Sequence, residues 1–191
     1  MSESTQAAGH LDTDELDAGL PHIRRSPADA GPLRMIVRRP GVEQREVVAE
    51  GVLDVDAGLV GDSWLTRGSP RTPDGGPNPA AQVTVINARL IDLLAQTEDR
   101  WPLAGDQLVI DIDLSEDNLP PGARLAIGSA VLEISEEPHT GCAKFAQRFG
   151  HRALRFISTP TGQALRLRGV NTRVIQSGPI RVGDKATKVD S

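Results

Sequence analysis

The chain has 191 residues, 38% of them hydrophobic, a net charge of −5 and a single cysteine, Cys142. That length supports one core with an appended segment. A lone cysteine excludes an internal disulfide and favours a reducing compartment, the cytoplasm. No apolar run approaches the roughly 18 residues of a membrane helix, and acidic side chains from Glu3 to Asp17 precede the first arginine, Arg24, so no secretory signal is expected.

Residues 1–31 are rich in Ala, Asp, Ser and Gly and too poor in large apolar side chains to offset the entropy of ordering. They read as a flexible extension with one short helix near Asp12 to Ala18. From residue 32 to 191 the texture becomes that of one folded domain. Short β-branched runs occupy Leu33 to Arg38, Val47 to Val55, Gln82 to Asn87, Gln107 to Asp113, Arg124 to Ile127, Ala130 to Ser135, Val170 to Gln176 and Lys185 to Val189. Leu108, Ile110 and Ile112 alternate with Val109, Asp111 and Asp113, the period of a strand. Gly128-Ser129 suits a tight hairpin turn. Eight short strands with a few short helices suggest a mostly β fold, either a barrel or a sandwich.

Three helical stretches interrupt the strands. Asn87 to Gln96 puts Leu90, Ile91 and Leu94 on one face behind an N-capping Asn87. After Cys142, Phe145, Ala146 and Phe149 fall at i+3, i+4 and i+7, which predicts a helix starting near Thr140 or Gly141 and an inward-facing sulfur. Gly150 ends or bends that helix, and Ala153, Phe156 and Ile157 repeat the spacing. The proline- and glycine-rich connection from Thr66 to Ala81 has the length of a binding lid or a solvated loop; its Arg67 and Arg71 suit an anionic ligand.

Charge is unevenly distributed. The 46 residues from Pro138 to Gly183 contain no Asp or Glu and eight cations, among them Lys144, Arg148, Arg168 and Arg173; subtracting these eight charges from the net −5 leaves −13 on the other 145 residues. Cations near a thiol favour its reactive thiolate form and suit a phosphate. His139, three residues before Cys142, is the nearest candidate base for nucleophilic chemistry. Structural zinc is disfavoured by the absence of paired cysteines and of a His-x-x-x-His spacing. A nucleic-acid module is disfavoured because the chain has no Tyr and its three Phe fall at core-facing spacing.

Several segments, taken in order, resemble the MOSC domain family: Gly58-Leu-Val-Gly-Asp62, Gln82-Val-Thr-Val-Ile-Asn87, Leu119-Pro-Pro-Gly-Ala-Arg-Leu-Ala-Ile-Gly128, Ala130-Val-Leu-Glu-Ile134, Pro138-His-Thr-Gly-Cys-Ala-Lys-Phe145, Gly169-Val-Asn-Thr-Arg-Val174 and Ser177-Gly-Pro-Ile-Arg-Val-Gly-Asp184. The resemblance spans about residues 50 to 188 and implies a stand-alone member with a β-barrel and a cysteine at an exposed pocket. It implies that Cys142 either ligates molybdenum in a pterin-type molybdenum cofactor or carries sulfur as a persulfide. In the first case Cys142 and His139 are the catalytic candidates, and Arg71, Thr140, Lys144, Arg148, Arg168 and Arg173 the cofactor-binding ones. The reaction implied is reduction of an N-hydroxylated small substrate, with electrons from a separate reductase. In the second case the partner is a cysteine desulfurase. A non-catalytic binding module is the third alternative. Gly58, Gly61 and Asp62, like Gly183 and Asp184, read as turn-building residues. The chain departs from the family in having Gly141 where Pro often precedes the cysteine, and Gly105-Asp106-Gln107 where Arg and Asn often precede the next strand.

Overall fold

The computed structural model describes residues 9–189. Its strands are β1 (Ala30–Arg38), β2 (Glu46–Val48), β3 (Glu50–Asp54), β4 (Gly58–Leu59), β5 (Val83–Asn87), β6 (Leu108–Ile110), β7 (Arg124–Ile127), β8 (Ala130–Ile134), β9 (Val170–Gln176), β10 (Gly178–Arg181) and β11 (Lys185–Val189). The α-helices are α1 (Thr13–Arg24), α2 (Trp64–Arg67), α3 (Ala88–Ala95), α4 (Ala143–Phe149), α5 (His151–Ser158) and α6 (Pro160–Ala164). In the large sheet the order is β11-β7-β8-β9-β5-β6-β1-β2, and β11 also pairs with β1. Seven strands therefore close a barrel, as expected, with β2 hanging from its seam. All its pairings are antiparallel except β5 with β6. A parallel neighbour needs a long crossover, here α3 followed by a 3-10 stretch at Glu98–Ala104.

Alternation along the strands makes two cores from one sheet. Leu33, Ile36, Val83, Val85, Leu108, Ile110 and Leu132 fill the barrel. Met35, Val37, Ile86 and Val109 point the other way and pack with Leu90, Ile91, Phe145, Phe149 and Phe156 of the helices. Every residue of β5 is buried for that reason, the pattern of a strand covered on both faces. The register shift between Leu33 and Met35 explains why Leu33 and Ile36, three apart, both face inward.

The sequence reading needs three corrections. The run Val47 to Val55 is not one strand: β2 pairs with β1, whereas β3 joins β4 and β10 in a separate three-stranded sheet. Between them Ala49 offers its carbonyl to Val182 N, 2.9 Å away. The Pro-containing β10 lies at an edge, where a missing N–H is tolerated. Second, the supposed extension 1–31 is packed where it is described. Asp12 and Glu15 form a reciprocal capping box, α1 buries Leu16 and Ile23 against the helical layer, and β1 begins at Ala30, inside the supposed tail. Two well-spaced apolar side chains and a cap outweigh the polar composition. Residues 1–8 lie outside the described residues. Third, α2, α6 and the 3-10 stretches at Pro79–Ala81 and Glu98–Ala104 carried too little periodic signal to be anticipated.

Asn87 caps α3 by accepting from Leu90 N at 3.0 Å, while its amide donates to Ile112 O at 2.7 Å. Gly150 separates α4 from α5 at φ +97, a backbone that side-chain-bearing residues rarely adopt. No helix among the described residues is long and apolar enough to cross a membrane.

Candidate functional site

Cys142 is exposed, contrary to the inward orientation that helical spacing predicts. The helix begins one residue later, at Ala143; Cys142 is its N-cap with extended backbone, φ −129 and ψ 175. An extended residue leaves the helical register, so Phe145, Ala146 and Phe149 go into the core and the sulfur does not. Two cavities lie on either side of this segment: Thr140 lines one and Lys144 the other.

The cavity reached through Lys144 has a volume of about 340 Å³ and is strongly basic, lined by Arg39, Arg45 and Arg67. Arg39 is anchored by the fully buried Asp62 carboxylate through Nε–Oδ2 at 2.9 Å and Nη2–Oδ1 at 3.0 Å, and its Nη1 donates to Gly105 O at 3.0 Å. Asp62 also accepts from Trp64 N, so this turn residue doubles as the support of a site arginine. Arg45 Nε is buried without a hydrogen-bond partner. Burial, then the neighbouring Arg148 and Arg39, lower the Arg45 pKa; burial, then Arg39, lower that of Arg67. Lys144 and Arg148, one turn apart on α4, both reach the Glu43 carboxylate, at 2.5 and 2.7 Å. Five cations thus face two carboxylates, Asp62 and Glu43. The excess positive charge is the electrostatic counterpart of an anionic ligand.

The second cavity, about 470 Å³, is lined by His139, Thr140, Arg168, Gly169 and Asn171 among others. Behind it the Asp106 carboxylate, fully buried, holds Arg168 Nη1 at 2.7 Å and lies 3.4 Å from His139 Nδ1. Arg168 also stacks over Phe145, 5.1 Å from the ring centroid. Burial, followed by repulsion from Arg168, lowers the His139 pKa to about 4, so the imidazole is neutral near pH 7. His139 Nδ1 and Asp106 Oδ1, 3.4 Å apart, are both buried without a hydrogen-bond partner. Gly169, beside His139 at the start of β9, has φ +102, and a β-carbon there would lie 2.3 Å from Val85 O; only glycine lets the chain pass this close to the β5 backbone.

One dipeptide joins the two cavities. Gly105 accepts from Arg39 on the basic side, and the next residue, Asp106, supports Arg168 and His139 on the other. The long connection is shared in the same way: Arg67 lines the basic cavity, while Arg71 pairs with Glu137 at the rim of the second, and Asn78 Nδ2 donates to Glu137 Oε2 at 2.7 Å. Hydrogen bonds from Asn78 and Arg71 hold the Glu137 carboxyl below its usual pKa.

Of the predicted residues, His139, Thr140 and Arg168 come together in one cavity, Lys144 lines the other, and Arg148 borders it through Glu43 and Leu103 O. Arg71 is engaged with Glu137. Arg173 is elsewhere: on β9 it pairs with Glu133 at 2.6 Å and lines neither cavity. Nor is the acid-free stretch one basic patch. Carboxylates from other segments meet it, Glu43 at Lys144 and Arg148, Asp106 at Arg168, Glu133 at Arg173 and Glu50 at Arg181. Sequence reasoning missed Arg39, Arg45 and Asp106 as site residues. Their signals were the Pro40-Gly41 break after a strand and the departure at Gly105-Asp106.

No group of three or more His, Cys, Asp or Glu able to hold a metal ion occurs among the described residues. No curated protein matches the chain. Among solved structures, the YuaD protein from Bacillus subtilis is similar at 14% identity with a TM-score of 0.63, over 82% of this chain and 94% of that one. YiiM from Escherichia coli is similar at 18% identity with a TM-score of 0.54, over 85% and 70% of the two chains. At such identities the likeness shows the fold alone. The MOSC domain model matches residues 75–187, which include Cys142, His139, Asp106 and Arg168; the chain belongs to the MOSC domain family.

Proposed function

We propose that the chain binds a pterin-type molybdenum cofactor between its two cavities, with Cys142 as sulfur ligand and the basic recess as the seat of the cofactor phosphate. The observation that carries this reading is the basic recess lined by Lys144, two residues after the exposed Cys142: Arg45 Nε is buried there without a partner, next to Arg39 and Arg67, while Cys142 itself lines neither cavity. A phosphate satisfies such donors and neutralises the excess charge at once. With Cys142 the single cysteine of the chain and no cluster of protein ligands among the described residues, the chain offers a single soft thiolate, which suits a metal already held by its own organic ligand. When bound, the group supplies a redox-active metal centre suited to reducing an N-hydroxylated or related small molecule, with electrons from a separate reductase.

The chain's own contributions follow from the geometry. Arg45, Arg67, Lys144 and Arg148 take the anionic end. Thr140, Asn171 and neutral His139 line the second cavity, where a small substrate would meet them, and the His139 imidazole is the group able to accept or pass on a proton. The reading places the protein in the cytoplasm, where the thiol stays reduced.

The exposed sulfur also favours a second reading, a carrier that receives a persulfide on Cys142 from a cysteine desulfurase and passes it on. Elemental analysis and intact mass of protein made in a host that synthesises the cofactor separate the two. Stoichiometric molybdenum lost in Cys142→Ser supports the cofactor. A species about 32 Da heavier at Cys142 without molybdenum supports the carrier. A protein with neither is a non-catalytic binding module, and both readings fall.

A further inference from the structure

We propose that Glu43 is a built-in competitor for the anion seat, a carboxylate latch that the incoming phosphate displaces. The inference rests on the recess being an anion site. Glu43 has φ +58, the left-handed region that a residue with a β-carbon adopts only when something holds it there. Two ion pairs hold it: one oxygen takes Lys144 Nζ at 2.5 Å and the other takes Arg148 Nη2 at 2.7 Å. The segment around it has one further side-chain hydrogen bond, from Arg45 Nη1 to Gln44 O at 2.7 Å. Gln44 N donates to Gly41 O at 3.1 Å to close the turn, and Val42 at the tip is 84% exposed.

Lys144 and Arg148 lie at i and i+4 on α4, so a carboxylate reaching both occupies the space in which a phosphate oxygen would bridge them. Those same cations hold the Glu43 carboxyl below its ordinary pKa, so it is ionised and competing wherever phosphate is anionic. The side chains of Glu43 and Lys144 are more than half exposed. Exposed pairs are weak and screened, as a latch that must open requires. A dianion carries more charge than the carboxylate and also reaches Arg45 and Arg67, which line the same recess and are crowded by Arg39. On binding, the turn at 41–44 loses its two anchors and the left-handed residue relaxes.

The test is inorganic phosphate binding to the full chain, by calorimetry, in wild type, Glu43→Gln and Glu46→Gln. Glu46 pairs with Arg38 on the exposed edge, so its variant makes the same change in net charge away from Lys144 and Arg148. Glu43→Gln is expected to bind phosphate about tenfold more tightly, and Glu46→Gln to stay within about twofold of wild type. Hydrogen exchange at the Gln44 amide should speed up in wild type as phosphate binds and be fast already in Glu43→Gln. Equal affinity in all three proteins, no phosphate binding in any of them, or Gln44 exchange that slows on binding overturns the latch. The cofactor reading fails separately: a latch that behaves as expected in a protein with neither molybdenum nor persulfide leaves Glu43 guarding a site for some other phosphate ligand.

Discussion

Asp106 Oδ2 lies 2.7 Å from Arg168 Nη1, with the carboxylate fully buried and the guanidinium 10% exposed. This pair ties the segment leading into β6 to the segment leading into β9, with His139 Nδ1 3.4 Å from the same carboxylate. Removing one partner leaves the other as an uncompensated buried charge, so Asp106→Ala is expected to cost about 3–5 kcal/mol. Asp106→Leu combined with Arg168→Met should cost clearly less than the sum of the single changes. Urea denaturation of the four proteins measures both.

His139 makes stability depend on pH. Its folded pKa, about 4, lies below the ordinary 6.5, so the unfolded chain takes up a proton where the folded chain does not. That contribution is complete above about pH 6.5 and is lost as pH falls towards 4, by roughly 3 kcal/mol in all. Urea melts at pH 7, 5.5 and 4.5 should show this slope in wild type and a shallower one in His139→Asn.

Arg45 illustrates a trade between stability and binding. Arg45→Met removes a cation crowded by Arg39 and Arg148, so the unfolding midpoint should stay level or rise. Phosphate affinity should fall about tenfold or more. A variant that loses stability and keeps its affinity would place the anion elsewhere.

The exposed Cys142 should react fully with a thiol reagent in native buffer, without denaturant. Cys142→Ser should change stability by less than about 0.5 kcal/mol. Labelling that requires denaturant would restore the inward orientation that the helical spacing suggested.

Leu16, 1% exposed on α1, should cost about 2–4 kcal/mol on replacement by alanine. The N-terminal helix is then part of the cooperative fold, and a calorimetric scan of Leu16→Ala should show a single transition at lower temperature.

The alternation of Leu108, Ile110 and Ile112 was enough to place those side chains in the barrel, because a strand's period is local. The capping chemistry of Asn87 and the hairpin at Gly128-Ser129 were legible for the same reason. The inward reading of Cys142 failed at a helix boundary, where one residue of offset moves a side chain from the helical face into solvent. The supposed single strand Val47 to Val55 failed because the exchange of partners at Ala49 depends on where β1 and β10 end.

The chain by itself determined the seven segments that close the barrel, the family to which they belong and the one sulfur available for chemistry, since these depend on residue type, spacing and order. Only the tertiary structure decided which charges face one another. Arg39, Arg45 and Arg67 precede the acid-free stretch, yet they gather beside Lys144, while Asp106 and Glu133 cross over to neutralise Arg168 and Arg173. Coulomb energy depends on distance through space and on burial, and neither is a property of position along the chain.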